Sequence, residues 1–536
     1  MSLKTRKSSA HLIISSAQLG VSEDIVKVMA KAAEYYGAKV YHLGATITEQ
    51  EFKSLDKNVK GLASVTLEIG SVDHGDDEAS SARAEKRLER LESRKDFLES
   101  EIKTIRGTER ERLQILTDHF GSITAVVAPD MHSDEIASAD NVTVIEGGLE
   151  LSKYMYLSAV QPSGERVTGS PITANAMSYL QHHGKHSWIV AHPVPAIETL
   201  EKPGLNQAHK FYTVGSLQHI INPRHSRQFF RVAHMPCAIM VLVDEETGEY
   251  HAKQMHIDYQ KGKNRPMILD DGMVIFGDKI VESSAADKGS ISTDDHAPHQ
   301  HPGTLGALRA MNTLHRPGIL INNGDAGEFG SVSHWIEDKP LVREGLRLVD
   351  DLLSVRMLLD AQANVDTIKT KVLIDSNHHE WVTQYVEKNP ALEGSFDWPT
   401  LAEKMFPDWE VFIRTSGENR IFRFGDMLIR HGDKEPNLRK AEKMSGGKYL
   451  CGHYHRYNVY RRAVRMGCGA GLGPNFIGNQ VTCWISQIGS LTKNQGVAAV
   501  NPKIILHDDR RKVSKFAYRN GIYEAPYYYL KKLHKS

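Results

Sequence analysis

At 536 residues the chain is too long for one ordinary domain, and two or three are expected. Lys plus Arg and Asp plus Glu both total 66, which excludes a uniformly basic or acidic protein and leaves local clustering to reveal any polyanionic partner. The four cysteines, Cys237, Cys451, Cys468 and Cys483, form no Cys-x-x-Cys pair, and no apolar run approaches the roughly 18 residues of a membrane span. A cytoplasmic chain without a membrane partner is the expectation.

In chain order, Leu12-Ile13-Ile14 reads as a short strand. Glu23 to Tyr36 is an amphipathic helix with Ile25, Val26, Val28, Met29, Ala32 and Ala33 on one face, closed by Gly37, and Lys39 to Leu43 is the next strand. Such alternation implies a parallel α/β layer. The turn at 15–20 carries no Gly-x-Gly-x-x-Gly and no phosphate-loop lysine, so nucleotide binding there has no support. Residues 79–117 are rich in Glu, Arg and Lys, with Ala84, Leu88, Leu91, Lys95, Leu98, Ile102 and Ile105 at heptad spacing. They predict a long helical arm that either packs on its own domain or pairs with another copy, with Gly107 breaking the pattern.

Strands are expected near 123–128, 142–145, 188–191 and 238–243, with a hairpin turn at Glu245-Glu246-Thr247-Gly248. His182, His183, His186 and His192 lack ligand spacing and read as structural. A loop-like stretch from Val281 to Ser290 precedes the first motif of the second half, and the domain boundary is expected around residues 265 to 285. Residues 1–275 are expected to be an N-terminal α/β domain with the helical arm, 285–490 a second domain, and 491–536 a basic, aromatic tail.

The second half carries five motifs: Asp294-Asp295-His296, Gly324-Asp325, Asn377-His378, His431-Gly432 and Gly452-His453-Tyr454-His455. All but the first follow a short apolar run, the context of a loop leaving the carboxyl end of a buried strand. Together they offer Asp, His, Asp, Asn, His, His and His, a mixed oxygen and nitrogen set suited to two divalent ions. In this order they resemble the calcineurin-like metallophosphoesterase superfamily, over roughly residues 285 to 490. That resemblance implies a two-layer sheet sandwich flanked by helices, with the loops at one edge. It places Asp294, His296 and His455 on one metal, Asn377, His431 and His453 on the other, Asp325 between them, and His378 on the scissile phosphate. Ser376 stands where the family has glycine, and 288–293 is more polar than the family's buried strand. Asp295, His299, His301 and His379 are therefore kept as substitute ligands.

The residue types suit phosphoester hydrolysis. Two ions about 3.5–4 Å apart neutralise phosphate charge and generate hydroxide near neutral pH. Imidazoles and an amide keep such a site cationic, and ligands without thiolate fit Mn²⁺, Fe²⁺ or Zn²⁺, with Mn²⁺ favoured. Basic residues cluster nearby (Arg430, Lys434, Arg439, Lys440, Lys443, Lys448, Arg456, Arg461, Arg462, Arg465), and 510–532 interleaves cations with aromatics. This is the pattern of nucleic-acid binding, or of a solvated basic surface. Gly467 to Gly473 lacks a nucleotide-loop ending and reads as a flexible turn. The motif set also resembles the recombination-repair nucleases, and the overall organisation is similar to the pre-early host-DNA-degrading proteins of T5-like bacteriophages. The expectation is a metal-dependent deoxyribonuclease, an oligomer through its N-terminal half, in the cytoplasm (that of the host, if phage-encoded). The alternatives are a phosphatase or small-molecule or cyclic-nucleotide phosphodiesterase, or an assembly or DNA-binding protein with a structural metal site.

Overall fold

The computed structural model describes residues 3–15, 21–44, 49–72, 78–127, 136, 138–158, 186–192, 194–200, 209–217, 235–413, 421–434, 437–471 and 483–530. The chain is α/β, with helices laid against mixed sheets. No helix among these residues is long and apolar enough to cross a membrane. Of the four histidines near 182–192, His182 and His183 lie outside the described residues. His186 pairs with Glu150, and the buried His192 accepts from the Val194 amide.

The alternation at the N-terminus builds a parallel layer: Ser8–Ile14, Lys39–Leu43, Ile123–Val127 and Val142–Glu146 pair in that order. The hairpin of Cys237–Asp244 and Tyr250–His256 extends it antiparallel beyond Ser8–Ile14. The apolar face of helix Glu23–Tyr36 packs Ile25, Val28, Met29 and Ala32 onto Leu12, Ile14, Met240 and Leu242. Gly37, at φ 60°, ends that helix in the left-handed conformation glycine tolerates best.

The arm is longer than its sequence pattern suggests. Helix Glu78–Phe120 runs 43 residues straight through Gly107, and a second helix, Glu49–Gly70, lies along it. Leu91 and Leu98 are buried with Val65, Leu62 and Ile69 of that second helix, so the seam is covered within the chain. Gly107 is exposed and a Cβ there would meet nothing within 4 Å. Gly107→Ala should therefore raise stability by about 0.5–1 kcal/mol, read from the midpoint of urea unfolding.

Two sheets face each other in the second half. One is ordered Glu410–Phe412, Thr370–Ile374, Ile319–Asn322, Lys288–Ser292, Gln487–Asn494, Val497–Ile504, with its first four strands parallel. The other contains Met427–Ile429, Lys448–Cys451 and Ala463–Arg465 in parallel register. Ile291, Ile321, Val372 and Leu491 of the first meet Met427, Ile429, Leu450 and Val464 of the second in one core. Lys288–Ser292, polar in sequence, is a fully buried central strand. Its small residues suit the close approach of a neighbour, since a Cβ at Gly289 would lie 3.2 Å from Leu491 Cβ.

The sheets run across the divisions expected near 275–285 and at 491. Asn458–Tyr460 pairs antiparallel with Ala196–Leu200, so strands of the first half complete a ten-stranded sheet with the second. Residues 266–282, within the region where the boundary was expected, contain three strands of a small sheet. The expected tail is strand, not tail: Val497–Ile504 belongs to the main sheet, and Gly521–Pro526 pairs with Lys4–Arg6 at the N-terminus. Burial explains this, because Phe516, Tyr518, Ile522 and Ala525 all point into the protein.

Glu198 sits at the cross-pairing and accepts a 2.5 Å hydrogen bond from Asn458 Nδ2. Burial raises its carboxyl from 4.5 to about 7, despite the lowering effect of Asn458. The folded chain thus holds this proton more tightly than the unfolded one. The resulting stability is fully present below pH 4.5 and is lost as pH rises to about 7. Glu198→Gln should flatten that decline and be about 2 kcal/mol more stable than the parent at about pH 8, by urea unfolding.

Candidate metal centre

Each motif leaves the carboxyl end of a parallel strand of the two facing sheets. Asp294 and His296 follow Lys288–Ser292, Asp325 follows Ile319–Asn322, and Asn377 and His378 open helix Asn377–Lys388 after Thr370–Ile374. His431 follows Met427–Ile429, and His453 and His455 follow Lys448–Cys451. The structure brings all seven expected ligands, and His378, to one point.

They form two groups. Asp294, His296 and His455 offer atoms within 4.8 Å of one another, as do Asp325, His431 and His453. In the first, His455 Nε2 lies 3.2 Å from both Asp294 Oδ1 and His296 Nε2. In the second, His431 Nε2 is 3.2 Å from His453 Nδ1 and 2.9 Å from Asn377 Oδ1. Asp325 Oδ2 stands between the groups, 3.1 Å from His431 Nε2 and 3.7 Å from His296 Nε2, and His378 Nε2 is 3.9 Å away. Asp325 Oδ1 is buried with no hydrogen-bond partner.

Backbone and tautomer are both set for this arrangement. Asp294, His296, Asp325, His453 and His455 all have φ between 46° and 70°, a conformation that costs non-glycine residues of order 1 kcal/mol or more each. The loops hold it: the amide of His296 donates to Asp325 O at 2.8 Å, and that of His453 donates to both Asp294 carboxylate oxygens at 2.9 and 3.0 Å. A Cβ at Gly452 would overlap Thr293 Oγ1 and Asp294 Oδ2, and one at Gly324 would lie 2.6 Å from His431 Nδ1. His431 Nδ1 donates to Asn323 O at 3.0 Å, and His296 Nδ1 donates to Glu328 Oε2 at 2.8 Å. Both Nε2 atoms are thereby aimed at the cluster.

Burial lowers the His296 and His431 imidazoles, but the Glu328 hydrogen bond on the first and the Asp325 charge on the second overturn this and raise each to about 9. Burial opposes ionisation of Asp325, yet His378 and His431 hold it well below the carboxylate range. Two carboxylates, Asp294 and Asp325, among imidazole nitrogens, with an orphaned oxygen between two groups, fit a pair of divalent ions. Burial lowers the His378 imidazole, against the opposing charge of Asp325.

The substitutes have other work. Asp295 accepts from Asn322 Nδ2 and Gln362 Nε2, both at 2.9 Å, and burial raises it to about 6. His379 Nδ1 accepts from the Ser376 amide at 3.2 Å, and its ring stacks on Trp398. That bond is one half of a capping box at the start of helix Asn377–Lys388; the other is the Ser376 side chain accepting from the His379 amide, which accounts for serine at 376. His301 stacks on His507, and His299 is exposed. Glu328, absent from the expected set, is the residue added by the fold. It follows Asp325 by three positions, and its carbonyl accepts from His378 Nδ1 at 2.8 Å while its carboxylate accepts from His296.

The basic clusters divide. Lys448 pairs with Asp258 and Asp426, Arg461 with Glu442, and Arg462 with Asp258. In the last strands Lys515 pairs with Asp244 and Glu249, Arg519 with Glu282, and Arg511 with Glu524. Lys434, Lys440, Lys443 and Arg456 are exposed, the first and last of them on the ligand loops themselves. Gly467 and Gly469 are close-approach positions, where a Cβ would overlap Ile485 O and Asp295 Oδ1, and 472–473 lie outside the described residues. Compared with models of protein families, with curated proteins and with solved structures, the chain matches none.

Proposed function

We propose that the protein is a two-metal-dependent phosphodiesterase that cleaves DNA, with the metallophosphoesterase ligand set read from its motifs. The observation that carries this reading is Asp325, buried between two ligand groups with one oxygen shared among three imidazoles and the other unpaired. Asp294, His296 and His455 would hold one ion, and Asn377, His431 and His453 the other. Mn²⁺ is the preferred metal, with Fe²⁺ and Zn²⁺ compatible. When bound, the pair neutralises phosphate charge and makes a water acidic enough to ionise near neutral pH.

The chain's own contribution is orientation and proton handling. Asp325 ties the two groups to one separation. His378 donates Nδ1–H to the Glu328 carbonyl, so Nε2 is the atom left to take up a proton, from the attacking water or from solvent, and then as imidazolium to meet a phosphate oxygen or pass that proton to the leaving oxygen. Lys434 and Arg456, exposed on loops that carry ligands, supply charge for flanking phosphates. The four thiols are buried and form no disulfide, which supports a cytoplasmic setting. Self-association through the helical hairpin would use Leu67 and Phe97, 76% and 61% exposed, and sedimentation would detect it.

A second reading, a phosphatase or a phosphodiesterase of small substrates, is favoured by the internal pairing of Lys448, Arg462, Lys515 and Arg519. Linear and circular duplex DNA, an oligonucleotide and a phosphomonoester, each with Mn²⁺ and with EDTA, separate the two. Degradation of DNA in Mn²⁺ alone supports the nuclease. Release of phosphate from the monoester with every DNA intact would replace it.

A further inference from the structure

His378 is also the first of four rings in contact. Its imidazole lies on Trp381 with centroids 3.9 Å apart, Trp381 meets His334 edge-on at 5.6 Å, and His334 lies against Trp335 at 4.7 Å. The series leads from the centre to the surface: Trp381 is 8% exposed and Trp335 68%. The adjoining turn Pro340–Arg343 presents Leu341, 86% exposed, and Lys339 and Arg347 stand exposed on the same segment. A large indole left in water beside a buried polar centre is a feature that burial would remove unless something binds it.

We propose that these rings form a nucleobase platform, on which an unpaired base flanking the scissile phosphate stacks against Trp335 and His334. The substrate is then single-stranded DNA or a frayed duplex end. This inference rests on the phosphodiesterase reading and names its substrate class. Three features favour a base over a protein partner. The ladder starts at the side chain whose Nε2 faces the phosphate position. Its outer end is three ring contacts, of 3.9, 5.6 and 4.7 Å, from that side chain. The exposed Glu337–Lys388 ion pair, at 2.7 Å, interrupts the patch, so it lacks the continuous apolar area of a protein interface. Aromatic faces stack on any base, so the platform selects unpaired strands without selecting sequence.

The test uses the full chain, with fluorescence anisotropy in EDTA to prevent cleavage. The probes are a labelled oligothymidylate and an abasic strand of equal length. The parent should bind the oligothymidylate about ten-fold more tightly than the abasic strand. Trp335→Ala should erase that ratio, and Trp335→Phe should keep most of it, with unchanged urea midpoints for both. Equal affinities in the parent, binding of neither strand, or a Trp335→Ala variant that weakens both strands alike would overturn the platform. Because the ratio is read without turnover, DNA left intact in Mn²⁺ would sink the nuclease reading while the ratio still decides on the platform.

Discussion

Asp325→Asn should abolish Mn²⁺-dependent DNA cleavage, lowering the single-turnover rate by about a thousand-fold or more. The substitution keeps the shape of the side chain and removes its charge. The oxygen that stands 3.1 Å from His431 Nε2 and 3.7 Å from His296 Nε2 can then no longer be a carboxylate shared by both groups. In one amide orientation the unpaired Oδ1 is replaced by an NH₂ that repels a cation; in the other Oδ2 is. Either way one ligand group loses its link to the other. An unchanged urea midpoint would show that the loss is chemical. A variant retaining activity within about ten-fold of the parent would remove Asp325 from the mechanism.

The largest expected effect on stability lies far from the centre. Asp271, fully buried, pairs with Lys253 Nζ at 3.0 Å and with Lys503 Nζ at 2.5 Å, and accepts from Ser490 Oγ at 2.6 Å and the Arg519 amide at 2.9 Å. Lys253 belongs to the N-terminal sheet and Lys503 to the sheet that carries the ligands, so this carboxylate joins the two halves. Asp271→Ala leaves the buried Lys503 ammonium without its carboxylate, while Lys253 keeps Asp270 at 2.6 Å, and should cost about 3–5 kcal/mol in urea or guanidinium unfolding. A loss below about 1 kcal/mol would mean that water reaches the junction. Burial opposes ionisation of Asp271, but Lys253 and Lys503 hold its pKa far below the ordinary value. Its contribution is therefore present at neutral pH and lost as pH falls through the acid range.

The candidate centre was legible because four of its five motifs close an apolar run that becomes a parallel strand, so their common context announces convergence. Glu328 escaped because its role depends on where two histidines from other elements arrive, which no local pattern encodes. Lys288–Ser292 looked too polar for a central strand since close packing, rather than bulk, selected its glycine and serines. Gly107 was read as a break, yet one glycine costs only about 1 kcal/mol against the rest of a 43-residue helix. The helix Glu49–Gly70 that covers the seam was not anticipated, which is why the seam suggested a second copy. The cations misled for a further reason. Arg462 and Asp258 are 204 residues apart and Lys515 and Asp244 271 apart, so a sequence cannot distinguish a paired cation from one facing solvent.

The most direct test of the central claim is anomalous diffraction at the manganese edge from crystals grown with Mn²⁺, with bound metal counted in solution. Two peaks about 3.5–4 Å apart on either side of Asp325, and two ions per chain, are the predicted result. No ion at these residues, or a single ion that leaves one of the two ligand groups untouched, would contradict it.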